Sequence, residues 1–150
     1  MTYQQLQCRC ELDCDGARIY VYVRGLGTAL RIDGDIDAAN VDRVGAEIRR
    51  LSRPHTPLIL DLSQLGFLGV DGLRALLALN REQRAAGLHL SVVTGPALHL
   101  LTRIVKDHGL PTVGSVAEAL QDIQDSIATR RQILVGLAGQ QPTGSNSLQG

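Results

Sequence analysis

The stretch from Leu58 to Leu79, LILDLSQLGFLGVDGLRALLAL, constrains the fold of this chain more than any other. It opens with a short apolar run, Leu58 to Leu62, which is the pattern of a buried strand. A segment rich in Leu and Ala follows, from about Asp71 to Ala86, and both residue types favour helix. Three intervening glycines allow a close backbone turn. The sequence therefore predicts a strand, a tight loop and a helix whose positive dipole end carries one carboxylate.

Composition limits the kind of protein this is. The chain has 150 residues, of which 44% are hydrophobic, so we expect a single globular domain with a real core. Lys plus Arg equals Asp plus Glu at 15 each, and aromatic residues make up only 3%. A zero net charge and few stacking side chains argue against nucleic acid as the partner.

The sequence lacks the long apolar run of about 20 residues that a membrane-spanning helix requires. Its first residues, MTYQQLQCRCELD, also lack the basic and apolar regions of a signal peptide. We therefore expect a cytoplasmic protein without a membrane partner.

Three cysteines cluster near the start of the chain, at Cys8, Cys10 and Cys14. An odd number in so short a span does not form a secreted disulfide framework. Zinc would need a fourth ligand from elsewhere, and a redox switch would need an exposed thiol with a lowered pKa. We interpret them as ordinary reduced cysteines and keep redox sensing as an alternative.

The remaining pattern alternates strands with helices. Strands are predicted at 6–13, 17–24, 30–36 and 88–94. Apolar spacing predicts helices at 41–51, from Pro96 to Gly109 and after Ser115. This order predicts an α/β fold with a mixed sheet packed by about four helices. We expect one domain at 1–135 and a disordered tail at 136–150, which is rich in Gly, Gln and Ser.

No catalytic motif emerges from the sequence. The four histidines have no metal-ligand spacing, and no phosphate-binding glycine motif or nucleophile elbow is present. Asp33, Asp35 and Asp37 lie close together, but the rest of a calcium loop is missing, so we interpret them as an acidic strand edge. We expect a protein that is not an enzyme and that has no metal or other cofactor.

Three motifs together carry a family resemblance. GDID at Gly34 to Asp37, DLSQLGFLGVDGLRALL at Asp61 to Leu77, and VVTGPALHLLTRIVKDHGL at Val92 to Leu110 resemble a STAS domain. That family includes the bacterial anti-sigma factor antagonists. The resemblance covers roughly residues 15–127, with the motifs in the family's order.

The resemblance implies a partner and a surface. The family's Asp-Ser-Ser, whose second Ser is phosphorylated by an anti-sigma kinase, becomes Gly69-Val70-Asp71 here, so Asp71 takes the phosphorylatable position. The implied partner is an anti-sigma factor of the ATPase-fold kinase type. With Arg74 from the exposed helix stripe added, the expected partner-binding residues are Asp35, Asp37, Gly69, Val70, Asp71, Gly72 and Arg74.

Several alternatives stay open at this stage. Asp71 is either only the N-cap of its helix or a cap that also sets partner choice by mimicking part of a phosphoserine's charge. The resemblance also allows a sensor of small molecules or nucleotides. A homodimer is compatible with every one of these alternatives.

Overall fold

The structure is a computed structural model, which describes the backbone of residues 10–24 and 27–149 and the side chains of residues 10–22 and 27–137. Its strands are β1 (Cys10–Cys14), β2 (Ala17–Arg24), β3 (Gly27–Ile36), β4 (Leu58–Asp61), β5 (Leu65–Leu68), β6 (Leu90–Val93) and β7 (Thr112–Val113). Its helices are α1 (Val41–Leu51), α2 (Val70–Ala85), α3 (Pro96–Thr102) and α4 (Val116–Gln149).

All seven strands of the described ranges form one mixed sheet in the order β1-β2-β3-β4-β6-β7, with β5 paired to β3. The antiparallel β1, β2 and β3 precede a parallel set. Strand β3 has ten residues, which is long enough for two partners on one side. Its first half pairs with β4 and its last residues pair with β5, both in parallel.

The core occupies both faces of this sheet. Helices α1, α2 and α3 contribute buried side chains to the larger cluster, and α4 contributes to the smaller one. Strand β4 is buried along its whole length, and its residues alternate between the two clusters, as Leu60 and Ile59 illustrate. A parallel strand covered on both faces has this continuous apolar sequence. The predicted α/β fold with a mixed sheet and four helices is confirmed.

Two elements differ from the sequence prediction. The segment predicted as a loop after β4 contains β5, because Asp61 Oδ1 accepts a 2.9 Å hydrogen bond from the backbone N–H of Ser63 and turns the chain back onto β3. Helix α3 was predicted to reach Gly109 but ends at Thr102. The β-branched pair Ile104 and Val105 follows, and β-branched residues favour helix weakly.

The C-terminal part of the chain carries a further prediction. The sequence predicts a disordered tail at 136–150, α4 extends to Gln149 in the structure, and the tail stays a prediction. Nothing in the composition of this segment, which includes Pro142, explains a helix. The domain boundary at residue 135 stays a prediction. The strand predicted at 6–13 is β1 from Cys10 onwards, and residues 6–9 lie outside the described residues.

Candidate functional site

Two loops that the sequence singled out meet at the carboxyl end of β3. The register of β3 and β5 places Asp35 beside Phe67 and Ile36 beside Leu68. The backbone N–H of Gly69 then donates a 2.9 Å hydrogen bond to the carbonyl oxygen of Ile36. The GDID segment and the start of α2 therefore form one continuous surface, and we call the exposed parts of residues 34–38 and 66–74 the paired-loop surface.

Close packing holds α2 against this junction. A Cβ atom on Gly72 would lie 2.4 Å from Leu68 Cδ1 and 3.1 Å from Ile36 Cγ2, so a larger residue would push the first turn of α2 away from β3. Gly72 is itself buried. Gly72 is one of the expected partner-binding residues, but it lies beneath the paired-loop surface and is not part of its exposed area.

Asp71 is not the N-cap of its helix, which corrects one sequence interpretation. Helix α2 begins at Val70, its N-cap is Gly69, and no side chain makes the capping hydrogen bond. The first helical hydrogen bond runs from Leu73 N–H to the carbonyl of Gly69 at 3.1 Å. Asp71 thus lies one residue further into the helix, where its carboxylate still faces the positive end of the dipole.

The Asp71 carboxylate points to a groove between α1 and α2. Asp71 Oδ1 lies 3.9 Å from Arg74 Nη1, and the two side chains are 50% and 76% exposed, so this is a loose surface pair. Both line a groove of about 490 Å³ whose other wall is formed by Ala38, before α1, and by α1 itself, with Val41 and Asp42 among its residues. The charges of Asp71 and Arg74 are thus available to a partner.

The second carboxylate of the GDID segment, that of Asp37, makes hydrogen bonds that stabilise a turn. Asp37 Oδ1 accepts hydrogen bonds from the backbone N–H groups of Ala39 at 2.9 Å and Asn40 at 3.2 Å. Asn40 is 1% exposed; its Oδ1 accepts from Asp37 N–H at 2.9 Å, and its Nδ2 donates to the carbonyl of Asp35 at 2.8 Å. Asp37 therefore organises the turn into α1, while the side chain of Asp35 stays exposed.

Exposed apolar side chains accompany these carboxylates. Phe67 is 51% exposed and Val70 is 57% exposed, on either side of Gly69. Sequence reasoning included Val70 but treated Phe67 only as part of an apolar pair. The available signal was that the single Phe of the chain lies between glycines in a segment with turn character.

A further apolar pair lies in and after α3, the helix that packs against β5. Leu100 is 63% exposed and Ile104 is 80% exposed. Ile104 falls within the helix predicted from Pro96 to Gly109, and that prediction is wrong at this residue because α3 ends at Thr102.

Metal and redox chemistry find little support in the described part of the chain. Among residues 10–22 and 27–137, no group of three His, Cys, Asp or Glu side chains is arranged to hold a metal ion. Asp33 pairs with Arg31 at 3.0 Å. Cys14 is fully buried, and burial raises the pKa of its thiol, which is the reverse of what a redox sensor needs. Cys10 is half-buried, and Cys8 lies outside the described residues.

In the described ranges, no helix combines the length and the apolar character of a membrane-spanning segment.

Comparisons with known proteins agree with this architecture. A family model described as "Mlab, STAS domain" matches residues 24–112. Osmosensory protein A of Mycobacterium tuberculosis (strain ATCC 25618 / H37Rv) is 37% identical over 131 residues, which cover 84% of this chain and 83% of that protein.

Solved structures share the fold at lower identity. An anti-sigma factor antagonist from Mycobacterium paratuberculosis has a TM-score of 0.58 and 24% identity, over 75% of this chain and 97% of that one. A variant of RsbS from Moorella thermoacetica has a TM-score of 0.59 and 16% identity, over 73% and 97%. The antagonist SpoIIAA in its unphosphorylated form has a TM-score of 0.53 and 17% identity, over 71% and 97%. With the family model matching more than half of its residues, this chain belongs to the STAS domain family.

Proposed function

We propose that this protein is an anti-sigma factor antagonist, a binding module that captures an anti-sigma factor through its paired-loop surface and so frees a sigma factor for transcription. Membership of the STAS family supports this proposal. The shared fold with two structures described as anti-sigma factor antagonists supports it as well.

The observation that carries the proposal is the composition of the paired-loop surface. Phe67 and Val70 expose apolar area on this surface, and Asp35, Asp71 and Arg74 add exposed charges from the same two segments. An apolar centre inside a polar rim is the usual anatomy of a protein–protein interface. A concave substrate site enclosed by converging polar groups would look different, and we therefore favour a binding module over an enzyme.

The partner we propose is an anti-sigma factor of the ATPase-fold kinase type. Asp71 stands where the family resemblance places a phosphorylatable Ser, so this position carries a fixed charge of about −1 in place of a switchable charge of about −1.5 to −2. Its exposure leaves that charge open to the partner. Binding would then be set by the amount of partner, without serine phosphorylation at this position.

The setting we propose is a bacterial cytoplasm. The name of the mycobacterial relative, Osmosensory protein A, supports a role for this chain in a response to osmotic stress.

Affinity capture followed by calorimetric titration tests this function. The tagged chain is used to isolate partners from its native cell, and the recovered anti-sigma factor is titrated against the parent and the variants Phe67→Ser and Asp71→Lys. A matched control is Ile133→Ser, because Ile133 is 59% exposed on α4, on an element outside the paired-loop surface. We expect each test variant to weaken binding by more than about 1 kcal/mol and the control to bind like the parent.

Two outcomes would contradict the proposal. One is that no anti-sigma factor is recovered, and the other is that all variants bind it equally well. Circular dichroism of each variant excludes unfolding as a cause of weak binding.

A further inference from the structure

A second groove lies at the other end of the parallel strands. Its volume is about 560 Å³, and it is bounded by the middle of α4 and by the segments that lead into β4 and β6. Pro57 and His89, which directly precede these two strands, are part of its lining. The paired-loop surface follows the carboxyl end of β3, so the two sites occupy opposite ends of the sheet.

The charged side chains of this groove are cationic or imidazole groups. Arg130 and Arg131 of α4, His55 and His89 line it, and no Asp or Glu is among the described residues that line it. Across residues 10–22 and 27–137, neither arginine has an ion pair with a carboxylate. Within these residues, the charges of the two guanidinium groups are therefore not compensated by an ion pair.

Two carboxylates line a neighbouring depression on the same helix. Asp122 and Asp125 line it together with His89 and Arg130. Asp125 already accepts a 2.9 Å hydrogen bond from Gln121. Charge thus divides across α4: Asp122 and Asp125 line only the neighbouring depression, Arg131 lines only the second groove, and Arg130 lines both.

The rest of the groove is apolar. Ile123 is 1% exposed and forms part of the smaller core cluster, with Ile127 packed against it. One turn beyond the arginines, Leu134 lines the same groove and is 59% exposed. Apolar walls next to guanidinium groups that form no ion pair within the described residues suit a ligand that has both an apolar part and a negative charge.

We propose that this groove binds an amphiphilic organic anion, a carboxylate or phosphate ester on an apolar body. Arginine presents a planar fork of donors that matches either oxyanion with two parallel hydrogen bonds. The volume falls in the range of about 300–1,000 Å³ that is typical of small-molecule sites. This inference is independent of the anti-sigma proposal, because it uses none of the residues of the paired-loop surface.

Nuclear magnetic resonance titration of the full chain tests this site. The probes are octanoate and octyl phosphate, which distinguish a carboxylate from a phosphate headgroup. Two compounds serve as controls: octylammonium has the same tail with the opposite charge, and inorganic phosphate has the charge without a tail. We expect one or both anionic amphiphiles to shift the amide signals of His89, Ser126 and Arg130 in a saturable way. The other two compounds should leave these signals in place at equal concentration.

A second experiment measures binding of the same probes to variants that lack arginine charges. The double variant Arg130→Gln with Arg131→Gln should weaken binding at least tenfold. The matched control, Arg81→Gln with Arg84→Gln, removes two exposed arginines from α2 and should bind like the parent. Equal thermal midpoints of the parent and both double variants show that the fold is intact.

Three results would overturn the site. Octylammonium could bind as well as octanoate, which would make the contact purely apolar. The double variant could keep the parent's affinity. The groove signals could instead shift with protein concentration alone, which would assign the groove to a contact between two copies of the chain.

Discussion

The backbone N–H of Gly69 donates a hydrogen bond of 2.9 Å to the carbonyl oxygen of Ile36, and this bond joins the N-cap of α2 to the last residue of β3. Both segments carry residues of the proposed interface. A change that displaces the end of β3 is therefore expected to displace the start of α2 as well, so the backbone beneath the paired-loop surface is as important as its exposed side chains.

The first prediction concerns Gly34, in the GDID segment. Its φ is +87°, and a Cβ atom there would lie 2.2 Å from the carbonyl oxygen of Gly16. Gly87 has a similar φ of +70° but nothing within 4 Å, so it is a matched control. Backbone strain costs each Gly→Ala variant about 1 kcal/mol, and crowding adds about 1–3 kcal/mol at Gly34.

Urea denaturation measures both of these glycine variants. Gly34→Ala should lower the free energy of unfolding by at least about 1 kcal/mol more than Gly87→Ala does. Equal losses would mean that the hairpin turn at Gly16 moves away from β3 at little cost.

The second prediction concerns Asn40, whose buried amide joins three backbone segments. Its Nδ2 donates to the carbonyl groups of Asp15 and Asp35, and its Oδ1 accepts from Asp37 N–H. Asn80 is also buried but makes a single such bond, to the carbonyl of Gly109. Each buried polar group left without a partner costs about 1–3 kcal/mol.

Denaturant midpoints of Asn40→Ala and Asn80→Ala compare these two sites. We expect the larger loss of stability in Asn40→Ala, together with weaker binding of the anti-sigma partner, because Asp35 and Asp37 lose their tether. If Asn80→Ala lowers the stability more than Asn40→Ala does, the hydrogen bonds of Asn40 are not what holds the GDID turn in place.

Much of the fold follows from local sequence patterns. The apolar run Leu58–Leu62 predicts β4, and the following Leu-rich segment predicts α2 to within one residue at its start. Strand β5 could not be predicted this way. Its four residues, Leu65–Leu68, lack the alternation of a half-buried strand, and their pairing depends on the length of β3 and on the turn at Asp61.

The candidate site was predicted in part. The motifs identified both loops, but their junction depends on long-range hydrogen bonds that no local pattern encodes. The N-cap of α2 was misplaced because Asp is a better capping residue than Gly in general, whereas the pairing of β5 with β3 ends the strand at Leu68 and leaves Gly69 as the cap. The position of Ile104 was also mispredicted from a local pattern. Its spacing continues the apolar spacing of α3, although the helix ends at Thr102 and Ile104 is exposed.

The third prediction follows from this correction at Asp71. Its carboxylate makes no capping bond, so Asp71→Asn should remove the interaction with the helix dipole, worth about 0.3–1 kcal/mol, and the loose surface pair with Arg74, which adds little. Asp42→Asn is the matched control, because Asp42 is the acidic residue in the first turn of α1. Thermal unfolding should show similar small losses for the two variants, and a loss above about 2 kcal/mol at Asp71 alone would restore a capping role.

Asp71→Ser adds a functional counterpart to this prediction. After incubation with the partner kinase and ATP, mass spectrometry should find phosphate on the new Ser but none in the central loop of the parent. Stoichiometric phosphate on Ser63 of the parent would show that the loop is switched after all.

The fourth prediction is a pH dependence of stability that arises at His89. Burial lowers the pKa of its imidazole below the ordinary value of about 6.5, although Asp122 acts in the opposite direction. As the pH falls below about 6.5, the unfolded chain binds this proton before the folded chain does. The stability contribution is therefore present above that pH and is lost as the pH falls through the folded pKa.

Urea unfolding at pH 7.5 and pH 5.5 tests this dependence. Protonation of His89 should lower the parent's free energy of unfolding by at most about 1.4 kcal/mol per pH unit, because one proton is involved. His89→Gln, which can still bond Ser91, should lose less, whereas the control His99→Gln at an exposed position should follow the parent. The prediction would be wrong if lowering the pH from 7.5 to 5.5 made the parent more stable relative to His89→Gln.

The fifth prediction concerns Arg49 and Glu82, which join α1 to α2 beside the 490 Å³ groove of the proposed interface. Arg49 Nε lies 3.0 Å from Glu82 Oε2 and Arg49 Nη2 lies 2.9 Å from Oε1, so the pair is bidentate. The hydrogen bond from Arg49 lowers the pKa of the Glu82 carboxyl. The folded state therefore binds this proton less readily, and the pair's contribution is present above the unfolded pKa and lost as the pH falls.

A double-mutant cycle of Arg49→Ala and Glu82→Ala measures this pair. Because the side chains are 46% and 51% exposed, the coupling free energy should be about 0.2–1 kcal/mol at pH 7 and should shrink in 1 M salt and below pH 4. The control cycle, Arg50→Ala with Glu47→Ala, removes a pair within α1 only. Both cycles should give small couplings, but only the first should also change partner affinity, since it alone spans the two helices on either side of the groove that Asp71 lines. A coupling that stays constant from pH 7 to pH 3 would show that the charges of Arg49 and Glu82 do not hold α1 against α2.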